Sequence, residues 1–215
     1  MQAIDYLKRA GTRLRAKGWR NTATYSLGVA TEVVRACLLD IRYGGKPCLT
    51  DLKTNAKDAH RHTMVHSDYH ILRKIFAEVP ISPRDVLVDV GCGEGRVINF
   101  WLSLGLTNTM IGLEGNAAIA SRASRRYRKY PNVAIIQGDA VDNLPPNGTL
   151  FYLYNPFSPQ TMERFAAALG KRDATLVYYI DNYLDPFRTE DWTIRNIGYD
   201  DGVLEYRASL VTRRK

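Results

Sequence analysis

Cysteine is scarce in this chain: Cys37, Cys48 and Cys92 are the only three in 215 residues. An odd, widely spaced set excludes a dense disulfide framework and a four-cysteine metal knot, and fits a reducing, cytoplasmic setting. Long apolar runs are missing as well. No stretch reaches the length of a membrane span, and no basic start leads directly into an apolar signal core, so stable membrane insertion is not expected. Repeats and low-complexity tracts are absent. What remains, 45% hydrophobic and 24% charged residues, is the composition of an ordinary folded domain with enough apolar material for a sizeable core.

The net charge of +8 is uneven, because residues 1–80 carry 14 Lys or Arg against 7 Asp or Glu, and residues 81–215 carry 16 against 15. An acidic partner touching the N-terminal part is one reading: nucleic acid, an anionic sugar or a membrane surface. A solvated basic face is the other.

Hydrophobic periodicity divides the chain near residue 80. AIDYLKRAGTRLRAKG predicts a basic helix with a thin apolar stripe, and TYSLGVATEVVRACLLDI a second helix that stops at RYGGKP. YHILRKIFAEV follows after a polar run. We expect residues 1–80 to form a helical cap or substrate-selecting segment. Beyond the PISPRD linker, VLVDV, TMIGLE, VAIIQ, TLFYLY and TLVYYI predict strands alternating with helices over EGRVINFWLSLG, NAAIASRASRRYRKY and SPQTMERFAAAL. Such alternation implies an α/β domain, 81–215, whose parallel sheet is covered on both faces. DWTIRNIGYDDGVLEYRASLVT reads instead as two strands around a DDG turn, an antiparallel hairpin at the sheet edge.

The strongest local signal is the run from Val88 to Arg96, where Asp89 is followed by Gly91, Cys92, Gly93, Glu94 and Gly95. A strand that ends in closely spaced glycines turns sharply and lets backbone approach a ligand. Glu114 ends the next strand, and its paired oxygens can accept hydrogen bonds from vicinal ribose hydroxyls. The 25-residue spacing from Asp89 fits nicotinamide enzymes equally well. In combination, however, the segment resembles the class I S-adenosylmethionine-dependent methyltransferases, whose first strand ends in D or E-x-G-x-G-x-G. The resemblance covers about residues 84–212. It implies a seven-stranded, doubly wound sheet and S-adenosyl-L-methionine as cofactor. Its donor site would comprise Asp89, Gly91, Cys92, Gly93 and Gly95 around the amino-acid end, Glu114 and Gly115 at the ribose, and Asp139 and Ala140, in QGDA, at the adenine. A loop-capping role is the plainer reading of Asp139.

Acceptor chemistry is less sharply written. Asn155, Pro156 and Phe157 stand at the tip of the fourth strand and resemble the N-P-P-aromatic motif of planar-nitrogen methyltransferases, with one proline fewer. Asp181 and Asn182 end the fifth strand, where catechol-type O-methyltransferases carry a magnesium-binding pair. The other Asp of that family is Asn155 here, so no metal is expected. Asn155, Asp181 and His66 are the catalytic candidates, Asn155 doubling as a donor contact, and Tyr69, Tyr154 and Phe157 the substrate-binding candidates. His60, His62, His66 and His70 fall in one eleven-residue window, with spacing that suits proton transfer or a polar helix face. Arg122, Arg125, Arg126, Arg128 and Lys129 form a basic run that can touch phosphate or simply wet the outer face of a helix. The expected reaction is methyl transfer to oxygen or nitrogen of a small or carbohydrate-like acceptor. Methylation of a nucleic-acid or basic-protein nitrogen, and a noncatalytic donor-binding scaffold, are the alternatives.

Overall fold

The computed structural model describes residues 19–47, 66–154, 157–200 and 205–214, with residues 19–29 described as helical backbone alone. The helix expected before residue 19, His60, His62, Asn155, Pro156, and Asp201 and Gly202 of the DDG turn lie outside the described residues.

Seven strands form one sheet: β1 (Leu87–Val90), β2 (Met110–Glu114), β3 (Val133–Gln137), β4 (Leu150–Tyr154), β5 (Thr175–Tyr179), β6 (Trp192–Asn196) and β9 (Ala208–Arg213). Their order is β3-β2-β1-β4-β5-β9-β6. β1 to β5 pair in parallel, while β9 runs antiparallel between β5 and the edge strand β6. The expected edge hairpin is therefore present, and its tip carries a separate two-stranded ladder of β7 (Tyr199–Asp200) and β8 (Glu205–Tyr206). Helices α1 (Trp19–Gly44), α2 (Tyr69–Ala77), α3 (Arg96–Ser103), α4 (Ala117–Tyr127) and α5 (Pro159–Leu169) complete the layers.

Each element follows from its residues. β1 is buried on both faces, as the continuous run LVDV requires of a central parallel strand. Asn116 caps α4 by accepting from the amides of Ala118 and Ile119, and Ser158 with Pro159 behind it opens α5. The two sheet faces bury separate clusters. Leu87, Tyr152 and Val177 pack under α2, α3 and α4 with Leu72, Ile75, Ile98, Trp101 and Tyr127. Val88, Phe151 and Tyr178 pack under α5 with Met162 and Phe165. Strand order reverses between β1 and β4, and the crevice at such a switch point is where open α/β sheets bind ligands.

α1 and α2 belong to the first of these clusters, so the described part of residues 1–80 shares a core with the sheet. A buried carboxylate holds them there. Asp40 of α1, with no exposed surface, accepts from Tyr69 Oη at 2.6 Å, Asn99 Nδ2 at 3.0 Å and an Arg96 guanidinium nitrogen at 3.1 Å. Three helices thereby meet on one charge. Removing that charge leaves Arg96 buried without this carboxylate, so Asp40→Ala is expected to cost about 3–5 kcal/mol in urea unfolding followed by tryptophan fluorescence. The paired replacement Asp40→Leu with Arg96→Met is expected to recover much of the loss.

Candidate functional site

The glycine run lies between the tip of β1 and the start of α3, with Gly91, Gly93 and Gly95 at φ of 78°, 55° and 88°. Gly95 is doubly constrained. A Cβ there would run into the Tyr127 ring, whose hydroxyl lies 2.6 Å from the Gly95 carbonyl oxygen and 2.8 Å from Asn99 Oδ1. The loop turns its amides inward: Gly91 and Cys92 both donate to the Leu113 carbonyl at 2.9 Å, and Gly95 to the Cys92 carbonyl at 2.8 Å. Gly93 donates to Glu114 Oε2 at 3.0 Å, while Asn116 donates to Oε1 at 2.7 Å. Glu114 is thus gripped by backbone through both oxygens. Each carboxylate oxygen has about two lone-pair directions, so capacity for two further hydroxyl donors remains.

Beneath the loop lies a cavity of about 30 Å³ lined by His66, Ser67, Asp89, Cys92, Arg96, Tyr152 and Tyr154 among others. Ser67 and Tyr152 share a buried hydroxyl–hydroxyl hydrogen bond of 2.8 Å. Asp89 is buried, and its Oδ2 has no hydrogen-bond partner. Burial, and secondarily the Glu114 carboxylate, pushes the Asp89 carboxyl up to about 8. Burial also raises the Cys92 thiol, which makes this cysteine a packing residue against Gly112 rather than a nucleophile.

The larger cavity lies elsewhere. A cleft of about 550 Å³ opens between the ends of β5, β9 and β6 and the β7–β8 ladder, lined by Asp181, Arg188, Asn196, Tyr199, Tyr206 and Ser209 among others. It does not touch the glycine loop. Both cavities nevertheless sit at the same end of the sheet, because β9 starts and β6 ends where β5 ends. Ring contacts join them, tilted at the first step and edge-on at the second: Tyr154 lies 4.4 Å from Tyr179, and Tyr179 lies 6.2 Å from Tyr206, between ring centroids.

The candidates therefore divide. Asp89, Gly91, Cys92, Gly93, His66 and Tyr154 line the small cavity, with Glu114 tied to its loop. Gly115 and Asp139 are exposed at neighbouring strand tips. Asp139 Oδ1 accepts from the Val141 amide at 2.8 Å, the capping bond that was the plainer expectation. Ala140 packs at the margin of the core under α5. Asp181 lines the second cleft, where its Oδ2 accepts from the Ser209 hydroxyl, and Asn182 accepts from Arg207. Among the described residues no cluster of three or more metal-capable side chains occurs.

Two placements correct the sequence reading. Tyr69, expected to bind substrate, turns into the core and donates to Asp40; burial, and then the Asp40 carboxylate, raises its hydroxyl far above the usual range. Phe157, expected beside the acceptor, packs 5.3 Å from Phe165, because the turn into α5 carries it to the other face. The basic run is partly structural: Arg126 donates to the Glu94 and Lys46 carbonyls, and Arg122 reaches the buried Glu94 carboxylate at 3.4 Å. Asp40 and Tyr206 are not singled out by the sequence. The signal for Asp40 was available, as an acid one turn after Ala36 on a face otherwise apolar with Leu39 and Tyr43.

No family model matches the chain. A curated relative, the probable cobalt-precorrin-6B C(15)-methyltransferase (decarboxylating) of Archaeoglobus fulgidus, is 28% identical over 74 residues. That stretch is 34% of this chain and 43% of the relative, so less than half of the relative is matched. Among solved structures, an RNA methyltransferase from Salinibacter ruber in complex with S-adenosyl-L-homocysteine aligns with a TM-score of 0.52 and 19% identity, over 69% of this chain and 93% of that one. A Streptococcus pneumoniae putative tRNA (m1A22) methyltransferase aligns with a TM-score of 0.55 and 12% identity, over 71% and 72%. The mitomycin 7-O-methyltransferase aligns with a TM-score of 0.54 and 14% identity, over 68% and 54%. The chain has the class I, Rossmann-like methyltransferase fold.

The state of Asp89 has a thermodynamic signature. Its folded value of about 8 stands above the ordinary 3.8, so between those limits the folded chain holds a proton that the unfolded chain releases. The contribution is full below about pH 4 and is lost as pH rises through about 8. Asp89→Asn, neutral at every pH, is expected to gain on the wild type in thermal melts of the ligand-free protein from about pH 4 to about pH 8, and then to hold a constant lead. A lead that does not change across that interval would show Asp89 ionised in the fold.

Proposed function

We propose that this chain is an S-adenosylmethionine-dependent methyltransferase that methylates an oxygen or nitrogen of a small, compact acceptor. One observation carries the donor assignment: a buried Asp89 carboxyl with an unpartnered oxygen lies under a glycine loop whose next strand presents the backbone-gripped Glu114. These residues fit the donor. Glu114 takes the vicinal hydroxyls, Gly91 to Gly95 and Cys92 line the amino-acid end, and Gly115, Asp139 and Ala140 border the base. Asp89, neutral while the cavity holds no cation, ionises when an ammonium group meets it. Inward-turned loop amides favour this over a nucleotide pyrophosphate, which needs those amides directed outward.

When bound, S-adenosylmethionine supplies an electrophilic methyl on a sulfonium that departs as a neutral thioether. The protein's task is then chiefly positioning and exclusion of water. We assign the acceptor to the cleft at the ends of β5, β9 and β6, whose size suits a small ligand. Tyr206 lines the cleft, Tyr179 and Tyr154 link that ring to the donor side, and Asp181 accepts a proton if the nucleophile arrives protonated. Asn155 and His66 stay candidates for holding the nucleophile, and residues 1–80 for a cap that narrows acceptor choice. The stacked Tyr199 and Tyr206 rings that line the cleft support a second reading, a planar nitrogen acceptor such as a nucleobase.

Calorimetric titration with S-adenosylmethionine, and in parallel with NAD, tests the donor assignment. Binding to the sulfonium ligand alone is expected. Glu114→Ala removes charged hydrogen bonds and is expected to weaken it by about tenfold or more. Selective NAD binding would overturn the assignment, and donor binding without turnover on any oxygen or nitrogen acceptor would favour the scaffold alternative.

A further inference from the structure

α1 presents an apolar stripe to solvent beyond the residues it buries. Val33, Val34, Leu38 and Ile41 are 46%, 57%, 60% and 48% exposed, whereas Ala36 and Leu39 pack on the core. The exposed positions recur at three- and four-residue intervals, with the half-buried Cys37 among them, so they form a continuous ridge rather than scattered contacts. Basic residues flank it. Arg35 and Arg42 are exposed on the same helix, the former paired with Glu32 at 2.9 Å. At the C-terminal end of α1, α4 is tied on by Arg126 donating to the Lys46 carbonyl at 2.7 Å and Tyr130 to the Tyr43 carbonyl at 3.1 Å. That attachment brings the exposed Arg125, Arg128 and Lys129 beside the end of the stripe. Among the described residues, Arg42, Arg125, Arg128 and Lys129 form no ion pair with a carboxylate.

We infer that this face of α1, with the end of α4, docks on an anionic lipid surface. An apolar ridge bordered by cations is what an interfacial helix needs: side chains that enter the acyl boundary and charges that meet the headgroups. The pairing selects among occupants. A nucleic acid would engage the arginines and leave the ridge wet, and a second copy would bring two like-charged rims together. The placement leaves the strand-tip cavities off the membrane-facing helix stripe, so docking and ligand binding are separable.

Co-sedimentation of the full chain with vesicles tests this, using phosphatidylcholine alone and phosphatidylcholine mixed with phosphatidylglycerol. The expected result is sedimentation with the anionic vesicles only, weakened by salt and reduced about tenfold or more by Leu38→Asp with Ile41→Asp. Leu38→Met is expected to bind as the wild type does. Circular dichroism melts of the Asp variant distinguish lost docking from lost folding. If that variant unfolds, Arg125→Glu with Arg128→Glu serves in its place and is expected to abolish the anionic preference. Failure to sediment, wild-type binding by the folded Asp or Glu variants, RNA binding without vesicle binding, or a dimer that the Asp variant dissociates would each overturn the proposal.

Discussion

The Asp40 carboxylate, buried with its three donors, is the constraint on which the arrangement around the loop depends. Burying a charge is costly unless every lone pair is met, and here Tyr69, Arg96 and Asn99 meet it from two other helices. Because Arg96 and Asn99 open α3, the same contact fixes the helix that leaves the glycine loop. Tyr127 continues the chain of bonds from Asn99 to the Gly95 carbonyl, so α4 also reads its position from this network. α1, the loop and α4 are thereby locked as one unit.

Within that unit the loop is tuned by two carboxyls of opposite character. Glu114 is held by backbone amides and keeps acceptor capacity, whereas Asp89 is buried with an unmet oxygen and is pushed toward the neutral form. The contrast arises from position alone: Glu114 lies at the strand tip and Asp89 one residue inside it. A buried group of this kind destabilises the ligand-free protein and gains most from a cationic ligand, the usual trade between stability and function at a site.

Much of this was legible in the order of residues. The parallel strands appear within a residue of where periodicity put them, from LVDV in β1 to TLVYY in β5, because a parallel sheet covered on both faces needs uninterrupted apolar strands, whereas helix ends differ by up to five residues. The glycine spacing and Glu114 marked the ligand end for the same local reason, since turn geometry is encoded over a few residues. Side-chain destinations were not local. Tyr69 and Phe157 carry the right chemistry for a pocket, yet the helices that bear them turn their rings into the core. Arg122 and Arg126 read as a wet basic run, but the proximity of Glu94 and Lys46, distant in sequence, turns them inward.

From sequence alone came the α/β class, the alternation of elements, the edge hairpin and the candidate donor loop, all set by hydrophobic period and backbone chemistry over short windows. Tertiary structure alone decided that β9 inserts between β5 and β6, that the two cavities share one end of the sheet across Tyr179, and that Asp40 rather than an exposed acid organises the N-terminal helices. Those outcomes depend on which surfaces meet across dozens of residues, where burial and pairing between remote groups outweigh any preference a residue has by itself.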